Sequence, residues 1–140
     1  MDWFDTDTDG KLHWDWLRSL GQDQLLRVLV QRAPETHFFG LRRQPRAIGY
    51  VIRWPNCADV IVLRAEDDAS TFRTPTFPGT DVFAPTLVSW QYHAAVAWTL
   101  RAALTLAAPG LPGAPMAALC PHPLCTVPRE WRREVAIRPA

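Results

Sequence analysis

Hydrophobic and polar positions alternate with two different periods along this chain. Between Ala47 and Trp54, the residues Ile48, Tyr50, Ile52 and Trp54 fall on one side of a period-two pattern, the mark of a strand with a buried face. Pro55-Asn56 breaks that run, and Asp59–Arg64 (Asp-Val-Ile-Val-Leu-Arg) reads as a second strand. Glu66–Ser70 reads as a turn. Thr71–Thr74 begins a third strand, which Pro75 confines to an edge or ends. His37–Leu41 is a candidate fourth. The connections are short, and a parallel crossover needs about a dozen residues, so the pattern predicts an antiparallel meander.

Helical periodicity flanks this region. Thr8 or Asp9 is placed to cap a helix over Leu12–Leu20, which Gly21 interrupts. Gln22–Arg32 then carries Leu25, Leu26, Val28, Leu29 and Val30 before Pro34 stops it, as one kinked helix or two short ones. Beyond Pro78-Gly79 and Pro85, the apolar stretch Thr86–Ala107 reads as a single long alanine-rich helix ended by Pro109-Gly110. On such a helix Arg101, Thr105 and Gln91 form a narrow polar stripe, with His93 about 80° from Arg101. A stripe so narrow predicts a helix that roofs the sheet and touches something on a second side. Leu111–Pro128 is rich in proline, and Arg129–Ile137 fits a short helix or a returning strand. The expected fold is therefore α+β: a three- or four-stranded antiparallel sheet packed against an N-terminal helix and a long Ala-rich helix, with a Pro-rich C-terminal tail. The segments are 1–34, 36–77, 86–107 and 109–140 of one domain.

Composition sharpens this picture. At 140 residues, with 48% apolar and 21% charged positions, the chain can bury a core without disulfides or a metal. The formal charge of +1 gives no support to a general nucleic-acid binder. Charge is segregated: residues 1–23 hold six acids against Lys11 and Arg18, whereas residues 24–64 hold seven arginines against Glu35 and Asp59. Such blocks more often neutralise each other than serve partners. The acidic start lacks the basic and apolar regions of a secretory signal. Arg101 near the middle of Thr86–Ala108 makes a membrane span costly. With three cysteines, an odd number, these features predict reduced thiols in a cytoplasmic protein.

Four groups of residues carry candidate chemistry. Asp5-Thr6-Asp7-Thr8-Asp9-Gly10 matches the front half of a calcium loop, but Trp16 stands where a closing glutamate is needed, so a helix-capping role is favoured. Cys120, His122 and Cys125 place three metal-type ligands within six residues, with zinc the fitting ion and Cys57, His93 or His13 as a possible fourth ligand. Arg42, Arg43 and Arg46, with Arg53, form the densest basic patch, and Trp131 sits in a second patch with Arg129, Arg132 and Arg133. His93 and Arg101 are the candidate catalytic residues, and Gln91 and Tyr50 the candidate ligand contacts of a pocket between sheet and helix.

The glycines sit in turns, and neither a nucleophile elbow, a phosphate loop nor a dinucleotide fingerprint is present in the sequence. Seven tryptophans and a nearly apolar second helix instead predict spare interface area. The expected function is a non-enzymatic accessory or protein-interaction domain, in one form a homodimer, working without a cofactor. The alternatives are a small enzyme or ligand-binding protein centred near His93, and a metal-binding protein using Cys120, His122 and Cys125.

Overall fold

The computed structural model describes residues 23–32, 35–41 and 44–136. Helix α1 (Asp23–Arg32) leads into four consecutive strands, β1 (Glu35–Leu41), β2 (Gln44–Arg53), β3 (Cys57–Ala65) and β4 (Asp68–Pro75). A long irregular connection follows. Strand β5 (Trp90–Ala94), helix α2 (Val96–Leu104), a 3-10 turn at Pro123–Cys125 and helix α3 (Arg129–Ala136) complete the order. The sheet is an antiparallel meander of five strands in the order β1-β2-β3-β4-β5. The antiparallel α+β class agrees with the hydrophobic pattern, with five strands in place of three or four.

The difference lies in the stretch expected as one helix over Thr86–Ala107. Its first part is strand. Trp90, Tyr92 and Ala94 alternate with Gln91 and His93, and all five pair with β4 from Arg73 to Ala69. Aromatic and polar residues in strict alternation suit an edge strand better than a helix, in which they would spread around the cylinder. The helix begins only at Val96, whose N–H donates to Glu66 O at 3.0 Å. Ala95 supplies no side-chain cap, so the β4–β5 pairing rather than a capping signal sets the start. The helix angles that separated His93 from the other polar groups therefore do not apply.

Both faces of the sheet are buried. On one, Leu26 and Leu29 of α1 and Val96, Leu100, Ala103 and Leu104 of α2 join Ile48, Tyr50, Ile61, Leu63 and Ala69. On the other, Ala47, Val51, Val60, Val62 and Phe72 meet Phe83, Val88, Cys125 and Val127, with Trp131 of α3 against them. The proline-rich segment packs against the sheet. Leu119 bridges Val88, and Val127 N–H donates to Phe83 O at 2.8 Å, carrying the chain beneath the second face. On that face Gly49 lets two aromatic rings approach the backbone. A Cβ there would lie 2.8 Å from carbons of both Phe39 and Phe83, whose rings meet edge to face at 4.8 Å. Gly40, at φ +102° beside the β1 irregularity, holds a backbone conformation that glycine tolerates best.

Among the described residues no helix is long and apolar enough to cross a membrane. The expected helix at Leu12–Leu20, the acidic run Asp5–Gly10, His13, and Arg42 and Arg43 lie outside the described residues.

Three substitutions test this packing. Leu100→Ala, at a fully buried site, should lower the unfolding free energy in urea by about 2–5 kcal/mol. Trp98→Ala on the exposed side of the same helix should change the unfolding free energy of a single copy, measured at high dilution, by less than about 0.5 kcal/mol. Gly49→Ala should cost about 1–3 kcal/mol, because two packed rings would have to move.

Candidate functional site

Period-two geometry puts Gln91 and His93 on the same side of β5, facing the second core. There they meet Ser70 of β4, the cross-strand partner of His93, and the turn at Pro123–Cys125. Gln91 Oε1 is the hub. It accepts from His122 N–H at 2.8 Å and lies 3.2 Å from His93 Nε2 and 3.4 Å from Cys125 Sγ. Gln91 Nε2 donates to Cys120 O at 3.2 Å. One amide side chain thereby ties β5 to three residues of the segment 120–125.

Donor and acceptor roles fix the histidine tautomer. Arg64 donates to the Ser70 hydroxyl oxygen, so that hydroxyl is free to donate its own proton to His93 Nδ1, 2.7 Å away. His93 then carries its proton on Nε2 and donates to Gln91 Oε1. The neutral ring is the form this network holds. Burial lowers the His93 pKa, and the neighbouring His122 ring and the Arg64 guanidinium lower it further. Arg64 is itself held by Asp68 at 3.0 Å and donates to Leu124 O at 3.3 Å.

The Cys125 thiol lies 3.9 Å from His93 Nε2, in the nucleophile–base pairing order. Its chemistry points elsewhere. Cys125 is fully buried, and burial raises its pKa to about 11, so the thiol stays protonated at neutral pH. Cys120, in contrast, is exposed. Of the expected metal ligands, His122 and Cys125 come near His93, with the two imidazole centroids 4.8 Å apart, while Cys120 meets Gln91 through its carbonyl oxygen. Among the described residues no group of three or more His, Cys, Asp or Glu side chains is placed to hold a metal ion.

The remaining sequence candidates are dispersed. Tyr50 is buried in the helix-side core, so the sheet separates it from His93 and Gln91. Arg101 lies on the outer side of α2, its guanidinium 5.1 Å from the Trp98 ring centroid. Arg46 and Trp131 do meet, the guanidinium lying 5.8 Å from the indole centroid.

A second polar constellation had no motif to announce it. Asp59 and Arg73 face each other across β3 and β4 and are both buried, with bonds of 2.6 and 2.9 Å between guanidinium and carboxylate. The Asp59 hydrogen bonds hold the Arg73 pKa above its ordinary value. Trp54 Nε1 donates to Asp59 at 3.0 Å, and Arg73 Nη1 donates to Ala107 O at 2.9 Å. Their detectable signal was register. Once the turn at Glu66-Asp67 is placed, an acid and a base fall opposite each other. Beside this pair is a cavity of about 400 Å³ roofed by residues of the stretch 109–116.

Stability and reactivity report on the His93 network. The folded pKa lies below the ordinary 6.5, so the unfolded chain binds the proton first as the pH falls. Urea midpoints should hold steady above about pH 7.5 and drop as the pH passes below about 6.5, and His93→Gln should flatten that part of the profile. Alkylation at neutral pH should modify Cys120 first and leave Cys125 until the chain unfolds, as read by peptide mass mapping. Comparison with protein families, with characterised proteins and with solved structures returns no match to this chain.

Proposed function

We propose that this protein is a non-enzymatic accessory or protein-interaction domain that uses the outer face of α2 and pairs with a second copy of itself. The observation that carries this reading is Trp98. It is 57% exposed on a helix whose other side is fully packed, and Arg101 lies over its ring. Tryptophan and arginine are the residue types most enriched among the few side chains that dominate binding energy at interfaces. An exposed indole beside a guanidinium offers both apolar area and a charged donor, the combination found at interface cores.

The polar cluster around His93 supports the same reading. A general base needs an uncommitted nitrogen near a substrate. Both His93 ring nitrogens are already paired, and the adjacent thiol is buried and protonated. The cluster fastens the segment 120–125 to the sheet, a structural task.

Light scattering over a range of concentrations tests the proposal. The expected mass is twice 15.8 kDa, and Trp98→Ala should return the chain to the single-copy mass with its far-ultraviolet circular dichroism unchanged and its urea midpoint no longer dependent on protein concentration. A chain that stays at the single-copy mass, and that yields no protein adduct from a photocrosslinking residue at position 98 in cells, overturns the reading.

A further inference from the structure

We infer that the cavity over Cys57 and Arg73 is a binding site for a small, uncharged, mainly apolar molecule carrying one hydrogen-bond acceptor, such as an amide or ketone oxygen. Its volume of about 400 Å³ falls within the size range of small-molecule sites. Pro75, Pro109, Leu111, Ala114, Pro115 and Met116 form apolar walls. The polar side chains in the lining are Cys57, Ser89 and Arg73.

Arg73 specifies the ligand. A guanidinium has five N–H groups. Two bond Asp59 and one bonds Ala107 O, so each terminal nitrogen keeps one N–H without an acceptor among the described residues. The side chain is only 3% exposed, and Arg73 lines the cavity, so a ligand oxygen there would satisfy a donor that bulk water barely reaches. Charge decides what kind of oxygen. Asp59 already balances Arg73, and a carboxylate ligand would leave an uncompensated negative charge among prolines and aliphatic side chains. A neutral carbonyl adds the hydrogen bond without that penalty.

The other polar groups fit a reversible site. Ser89 is turned to the β4 backbone, its hydroxyl donating to Arg73 O at 3.5 Å. Burial raises the Cys57 pKa, so at neutral pH its thiol is protonated and offers the ligand a weakly polar contact while still reacting slowly with added reagents. The roof is pre-shaped. Leu111 N–H bonds Ala108 O and Ala114 N–H bonds Leu111 O, and Gly110 and Gly113 take positive φ angles of 84° and 88° in these turns. A roof stiffened by prolines loses little freedom on binding, while Met116, 94% exposed at the rim, can adjust to the ligand.

The probes are acetanilide, ethylbenzene and benzoate, added to the full chain with methyl-labelled methionine. Acetanilide should shift the Met116 methyl signal saturably and slow maleimide labelling of Cys57 in proportion to occupancy, with labelling of exposed Cys120 unchanged as the internal control. Ethylbenzene, which lacks the acceptor, and benzoate, which brings a charge, should each bind about tenfold more weakly. Ala114→Trp, which fills the cavity from its roof, should abolish both acetanilide effects. Absence of a saturable shift with all three probes overturns the assignment. So does equal binding of ethylbenzene and acetanilide, or preferred binding of benzoate, and these comparisons need no variant.

Discussion

The central strand β3 is buried on both sides at once. Val60, Ile61, Val62 and Leu63 are all at most 1% exposed, and successive residues of a strand point to opposite faces. An antiparallel sheet usually leaves one face to water. Here neither face can be left open, because each strand from β2 to β4 contributes apolar residues to both. Burial of each such side chain is worth roughly 1.5–3 kcal/mol, so two layers of cover are required. Helices α1 and α2 supply one. Among the described residues no comparable pair of helices covers the other, which is covered by irregular backbone: the connection before β5, the 3-10 turn and the start of α3. Irregular cover needs anchoring of its polar groups. The hydrogen bonds of Gln91, His93, Ser70 and Arg64 provide that anchoring, which is why so much polar chemistry gathers on one side of β5.

The four strands from β1 to β4 were readable because their pattern is local. Alternating apolar residues and the breaks at Pro55-Asn56 and Glu66-Asp67 mark their limits to within a few positions. The stretch after Pro85 was misread for a definite reason. Alanine fits both a helix and a strand edge, and Ala94, Ala95 and Ala97 blur the change of period between β5 and α2. Only pairing with β4, a contact between residues far apart in sequence, decides the matter. The same error hid the site. Gln91 and His93 stood out as polar residues in an apolar stretch, but a helix sets them apart, whereas a strand aligns them. Ser70 and Arg64 carried no motif, and their role follows from register alone.

The two polar clusters are built on different principles. Around His93 both ring nitrogens are paired, and the thiol is kept neutral by burial. Around Arg73 a buried charge pair is complete in charge but incomplete in hydrogen bonds. Removing either partner of such a pair is costly, about 3–5 kcal/mol, and the pair joins β3 to β4 where Arg73 lines the cavity. One arrangement closes a surface and the other leaves donors for an incoming molecule.

The second apolar layer is finished by residues close to the C-terminal end of the described chain. Cys125 and Val127 are among its buried members, yet the sheet they cover is complete by Ala94. During synthesis the strands and α2 emerge first, and the sheet face that Cys125, Val127 and Trp131 cover stays open until those residues follow. That interval is when edge pairing and aggregation compete with folding. Translation speed and chaperone supply between the sheet and the segment 119–131 therefore bear directly on how much of this protein folds.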